Sequence, residues 1–102
     1  DQDWTYTIVE PNKIDEYIQA YDTEITYEDT KFSLMEMIIQ SWAEQEDKKL
    51  MNEKWKQIEP ILSKDFDLHK YTIYYWCYWE NDDVKDCWEV TPFMRDFWIN
   101  KK

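Results

Sequence analysis

Residues 67–79 read DLHKYTIYYWCYW, and the state of this stretch decides the fold. Its aromatic and β-branched content carries strand propensity. Asp67, however, is placed to cap a helix, and Leu68, Tyr71, Thr72, Tyr75, Trp76 and Trp79 share one helical face with Ile73 and Cys77 beside it. A strand here would need partners, and only residues 3–9 and 86–90 offer them. The alternative fold is therefore α+β, with a small antiparallel sheet from 3–9, 70–79 and 86–90. Helix is preferred, because weak intrinsic propensity yields readily to packing.

Outward from this stretch the helical periods recur. Downstream, Thr91-Pro92 supplies a cap and a proline at the first helical position, and Phe93, Met94, Phe97 and Trp98 make one apolar face. Lys101 and Lys102 suit the negative end of that helix dipole. Upstream, Met51, Trp55, Ile58 and Leu62 form a stripe beneath Lys48, Lys49, Lys54 and Lys56, with Pro60 removing one backbone bond and kinking the helix. The run ILSKDFDLHKYTIYYW joins this helix to the next by a short turn, the layout of an α-solenoid unit.

Phe32, Met35, Ile39, Trp42 and Ala43 form another stripe, widened by Leu34, Met37, Ile38 and Ser41, which predicts a central helix packed on two sides. Thr26 and Asp29 resemble a capping box at its start. Ile14, Tyr17, Ile18 and Tyr21 predict a helix over about 12–22, with Asn12 as its cap and an acidic outer face. Residues 1–10, DQDWTYTIVE, alternate and read as an extended arm ending at Pro11. The expectation is one mainly α domain spanning the 102 residues, about five helices in a compact or short solenoid-like bundle with an extended amino-terminal arm.

Composition narrows the function classes. With no glycine, the chain lacks phosphate-cradling loops, the dinucleotide fingerprint, the nucleophile elbow and the calcium-loop turn. One histidine, His69, excludes chemistry that needs two imidazoles. His69 and Cys77 on one helix stand about 12 Å apart at a 1.5 Å rise, too far to share a proton. Carboxylates cluster at Asp22, Glu24, Glu28 and Asp29 and again at Glu80, Asp82, Asp83 and Asp86. Both groups lie in polar, loop-like sequence, which favours solvated charge over an acid–base pair. The second group matches no calcium spacing, so no metal and no cofactor is expected.

Charge is distributed unevenly. Residues 1–47 carry all of the net −11, because the remainder is balanced between signs. An acidic field repels nucleic acid and anionic lipid and attracts a basic protein; it also serves solubility. No nucleic-acid or membrane partner is expected, and no apolar run is long enough to span a bilayer. Cys77 and Cys87, without a paired metal spacing, read as free thiols of a cytoplasmic protein. The first residue is Asp1 rather than Met, so an upstream segment was removed or never included; a removed signal peptide would open the way to a Cys77–Cys87 bridge.

The chain holds seven Trp, eight Tyr and four Phe. Tyr17, Trp42, Trp55 and Trp76 lie on apolar stripes and read as core. Tyr21, Tyr27, Tyr74, Tyr78 and Trp79 neighbour acidic residues, a mixture suited to gripping a basic partner, with core packing as the competing role. The candidate partner-binding set is therefore these five with Asp22, Glu24, Glu28, Asp29, Glu80, Asp82, Asp83 and Asp86.

Three stretches, FSLMEMIIQS (Phe32 to Ser41), LHKYTIYYW (Leu68 to Trp76) and VTPFMR (Val90 to Arg95), resemble segments of small acidic immunity-type proteins from bacterial toxin systems. The resemblance spans about residues 30–96. It implies a cytoplasmic helical protein that binds a cognate toxin domain and blocks its active site; it assigns no single residue a role. The expected function is that of a non-enzymatic inhibitor whose carboxylates steer a basic toxin and whose aromatics slow its release. The alternative is a scaffold subunit that forms a homodimer or joins an obligate complex. An acidic mimic of nucleic acid ranks third and an enzyme last.

Overall fold

The computed structural model describes residues 10–23, 27–81 and 88–101. A 3₁₀ turn (Pro11–Lys13) leads into α1 (Ile14–Thr23), followed by α2 (Glu28–Ala43), α3 (Lys48–Lys64), α4 (Phe66–Cys77) and α5 (Thr91–Lys101). No strand occurs among the described residues, and 70–77 lie within α4, which overturns the sheet alternative. The extended arm at 1–9 falls outside the described residues; Glu10, at its end, has extended backbone.

Helix starts follow the local chemistry, with shifts. Asn12 caps nothing: it sits inside the 3₁₀ turn, whose cap position is Glu10 and whose first residue is Pro11. At α2 the cap position is Tyr27, which makes no side-chain cap bond, and Thr26 lies outside the described residues. Asp47 caps α3, its carboxylate accepting from the Lys49 amide at 2.9 Å. The helix then runs unbroken through Pro60 to Lys64. Asp65 alone joins α3 to α4 and occupies the α4 cap position, so Asp67 falls in the first turn instead.

Among the described residues, each of the helices α1 to α5 contributes to one buried cluster. At its centre α2 packs against α1, α3, α4 and the 3₁₀ turn, an arrangement around one helix. Leu34, Met35, Ile38, Ile39 and Trp42 of α2 are fully buried, as the widened stripe predicts. Trp42 stacks on Trp55 at 5.2 Å and meets Phe93 edge-on at 5.3 Å, while its indole N–H donates to the Met51 carbonyl at 2.9 Å. The ladder continues from Trp55 to Phe97 and from Phe97 to Phe66, so aromatic contacts tie α2, α3, α4 and α5 together.

Three expected faces are corrected. Lys54 is not part of the exposed basic face: it is buried against α1 and pairs with Asp15. The buried face of α4 is His69, Thr72, Ile73 and Cys77, whereas Tyr71 and Tyr75 point outward, 75% and 61% exposed. Small aliphatic and thiol groups fit between packed helices, while tyrosines keep their hydroxyls in water. Tyr21 is core, not surface.

Candidate partner-binding face

Two sets of side chains stand out, one buried and one exposed. The buried set links α1 to α4. The Tyr21 hydroxyl donates to Asp65 Oδ2 at 2.6 Å, so it must accept from His69 Nε2 at 2.7 Å, which places the imidazole proton on Nε2. Lys31 completes the surroundings, 3.9 Å from Asp65 and above the Tyr21 ring. Burial, with the bond to the Asp65 carboxylate, holds the Tyr21 proton far above the ordinary tyrosine range. Burial also lowers His69 to about 4, and it pushes the Cys77 thiol up to about 11. The Tyr21 hydroxyl and the Cys77 thiol are thus harder to ionise, the reverse of an activated oxygen or sulfur nucleophile, while His69 is held neutral. The trio fastens α1 to the start of α4.

The exposed set lies along the outer face of α4. Tyr71, Tyr74, Tyr75 and Tyr78 follow i, i+3, i+4, i+7 spacing, so they line one side of the helix. With Trp79, Glu80 and Trp88 they border a groove of about 470 Å³. The rings brace one another: Trp88 lies 4.6 Å from Trp76, 5.2 Å from Tyr78 and 5.5 Å from Tyr75. Tyr74 meets Trp98 edge-on at 5.3 Å.

The turn that carries Trp79 and Glu80 is built without glycine. Tyr78 ends α4 in the left-handed region at φ 49°, a conformation that costs a residue with a β-carbon about 1 kcal/mol. Side chains of α5 satisfy the carbonyls released there. Thr91 Oγ1 donates to the Trp76 carbonyl at 2.9 Å, Arg95 Nε to Cys77, and Arg95 Nη2 to both Tyr78 and Asn81, each at 2.7 Å. The Arg95 guanidinium also lies over the Trp79 ring at 4.9 Å. Thr91, expected as a cap of its own helix, serves the end of α4 instead.

Of the candidate residues, Tyr74, Tyr78, Trp79 and Glu80 come together on this face. Asp22, Tyr27, Glu28 and Asp29 are exposed around the end of α1 and the start of α2, and Glu28 borders the first turn of α4, at the opposite end of that helix from Tyr78, Trp79 and Glu80. Tyr21 is removed from the surface by its buried bonds. Glu24, Asp82, Asp83 and Asp86 lie outside the described residues. Tyr71, Tyr75, Trp88 and Arg95 were not anticipated here; the sequence pattern assigns the two tyrosines to the inward face, and their i, i+3, i+4, i+7 spacing with Tyr74 and Tyr78 was the available signal.

Among the described residues no group of three or more metal-ligating side chains is placed to hold an ion, and no helix is long and apolar enough to cross a membrane. No family model, curated protein or solved structure matches the chain.

Proposed function

We propose that the chain is a non-catalytic binding protein for a basic protein, of the kind that immunity-type proteins provide against a cognate toxin domain. The observation that carries this reading is the exposed tyrosine stripe of α4, continued by Trp79 and Trp88 and bordered by Glu80, on a chain of net charge −11. Contiguous exposed aromatic surface marks interaction sites, and tyrosine and tryptophan are the residues that dominate their energetics. Asp22, Glu28 and Asp29, which do not line the groove, act at long range by steering.

The experiment is affinity capture from the source organism's lysate, followed by reconstitution with the purified captured protein. A basic protein is expected, with binding weakened at least tenfold by Tyr74→Ala/Tyr75→Ala and association slowed by salt. Equal affinity for the double variant removes the stripe from the interface. A charge-reversal set at Asp22, Glu28 and Asp29 that leaves the association rate unchanged removes the steering. Sedimentation addresses the scaffold alternative, in which the same aromatic face joins two copies: a tight dimer at low concentration, insensitive to salt, overturns the inhibitor reading.

A further inference from the structure

Beyond the tyrosine groove, on the other side of Tyr75 and Trp88, lies a second recess of about 570 Å³. Its floor comes from α2: Glu36, Gln40 and Glu44 stand at i, i+4, i+8 and so form one row, with Gln40 Nε2 donating to Glu44 Oε2 at 3.4 Å. Its walls are the rings of Tyr75, Trp76 and Trp88. Neither glutamate pairs with a cation among the described residues, although three lysines elsewhere do. Partial desolvation raises the Glu36 carboxyl from its ordinary value.

From this juxtaposition of a carboxylate row with aromatic walls, we infer that the recess is a guanidinium site that takes an arginine side chain of the protein partner. Arginine fits both halves at once. Its plane stacks on an indole or phenol face while its edge donates to carboxylate oxygens, and an ammonium can do only the second with comparable geometry. The site lies beside the tyrosine groove, sharing Tyr75 and Trp88 with it, so an arginine seated here fixes the register of a partner lying across the stripe. This inference rests on the partner being basic, but the recess can be tested without that partner.

The probe is acetyl-triarginine-amide, titrated at physiological ionic strength and followed by the indole N–H resonances of Trp76 and Trp88. Triarginine is expected to shift both, with Glu36→Gln/Glu44→Gln weakening binding at least fivefold. Glu53→Gln/Glu59→Gln removes the same charge from the exposed side of α3 and is expected to weaken it less than twofold. Trilysine is expected to bind at least threefold more weakly, and tricitrulline not at all. Equal losses in the two double variants reduce the effect to long-range charge and overturn the site; so does trilysine binding as well as triarginine. Peptide binding at the recess together with failure to capture a basic protein leaves the site standing and refutes the proposed function.

Discussion

Arg95 offers the sharpest test of how the binding face is held. Replacing it with alanine removes three bonds to the carbonyls of Cys77, Tyr78 and Asn81, and the contact with the Trp79 ring. A hydrogen bond from a charged group contributes about 1.5–3 kcal/mol when shielded, and an exposed cation–π contact about 0.5–1 kcal/mol. The bond to Tyr78 is exposed and the other two are half-buried, so water replaces part of the loss. The losses also overlap, since one guanidinium makes all of them. A net cost of about 3 kcal/mol follows, which lowers Tm by ~12–24 °C in a domain of this size.

Arg95→Lys separates charge from geometry. An ammonium keeps the charge but cannot span three carbonyls as the planar fork does, so roughly half the loss is expected. Thermal and urea unfolding read the global cost. Amide exchange at residues 77–81 reads whether the turn opens alone, which it does if the loss stays local. Arg95→Ala within about 0.5 kcal/mol of the parent, or Arg95→Lys indistinguishable from it, refutes the view that Arg95 holds this turn.

The remaining expectations concern the core and the stripe. Because burial lowers His69 to about 4 against about 6.5 unfolded, the unfolded chain binds the extra proton first as pH falls. Stability is therefore full above pH 6.5 and falls by about 3 kcal/mol toward pH 4, and urea midpoints of His69→Gln should lack this step. Lys54→Met should lie within ~1 kcal/mol of the parent in urea unfolding, since the buried ammonium is replaced by an apolar group of similar length; a larger loss would mean that the pair with Asp15 is strongly stabilising. Cys77, buried with its thiol pushed up to about 11, should resist iodoacetamide at pH 8 until the chain unfolds, as peptide mass spectrometry will show. Tyr71→Lys/Tyr74→Lys should leave Tm unchanged or raised while abolishing partner binding; a fall of many degrees would assign the stripe to folding.

Local chemistry made much of the helical skeleton legible. The widened stripe of α2 and the stripe of α3 are buried where the spacing places them, because aliphatic side chains have only one favourable destination. In α4 the same method put the wrong face inward. Tyrosine and tryptophan satisfy an apolar contact and a wet one equally well, so spacing finds two stripes on that helix and cannot rank them. For Tyr21 the stripe with Ile14, Tyr17 and Ile18 points inward and neighbouring Asp22 points outward; burial decides for the core role, through partners Asp65 and His69 that lie 44 and 48 residues away. Arg95 is similar. Its value comes from carbonyls up to 18 residues earlier in the chain, and a helix end without glycine signals only that some side chain must serve it.

The outer face of α4 poses the central functional question. Tyrosine is a poorer helix former than alanine, lysine or glutamate by several tenths of a kcal/mol, so Tyr71, Tyr74 and Tyr75 together weaken α4 by about 1 kcal/mol. Nor do they close the core, which Ile73 and Cys77 seal at zero exposure from the opposite side. Exposed aromatic area of this extent promotes association between like chains, and the excess of carboxylate opposes it by mutual repulsion. A face that costs helix stability and adds nothing to the core, on a chain whose charge repels its own copies, is suited to a partner of opposite sign. The recess beside Glu36 and Glu44 extends the same logic to a single side chain, because a partly desolvated carboxylate gains most from a cation brought in from outside.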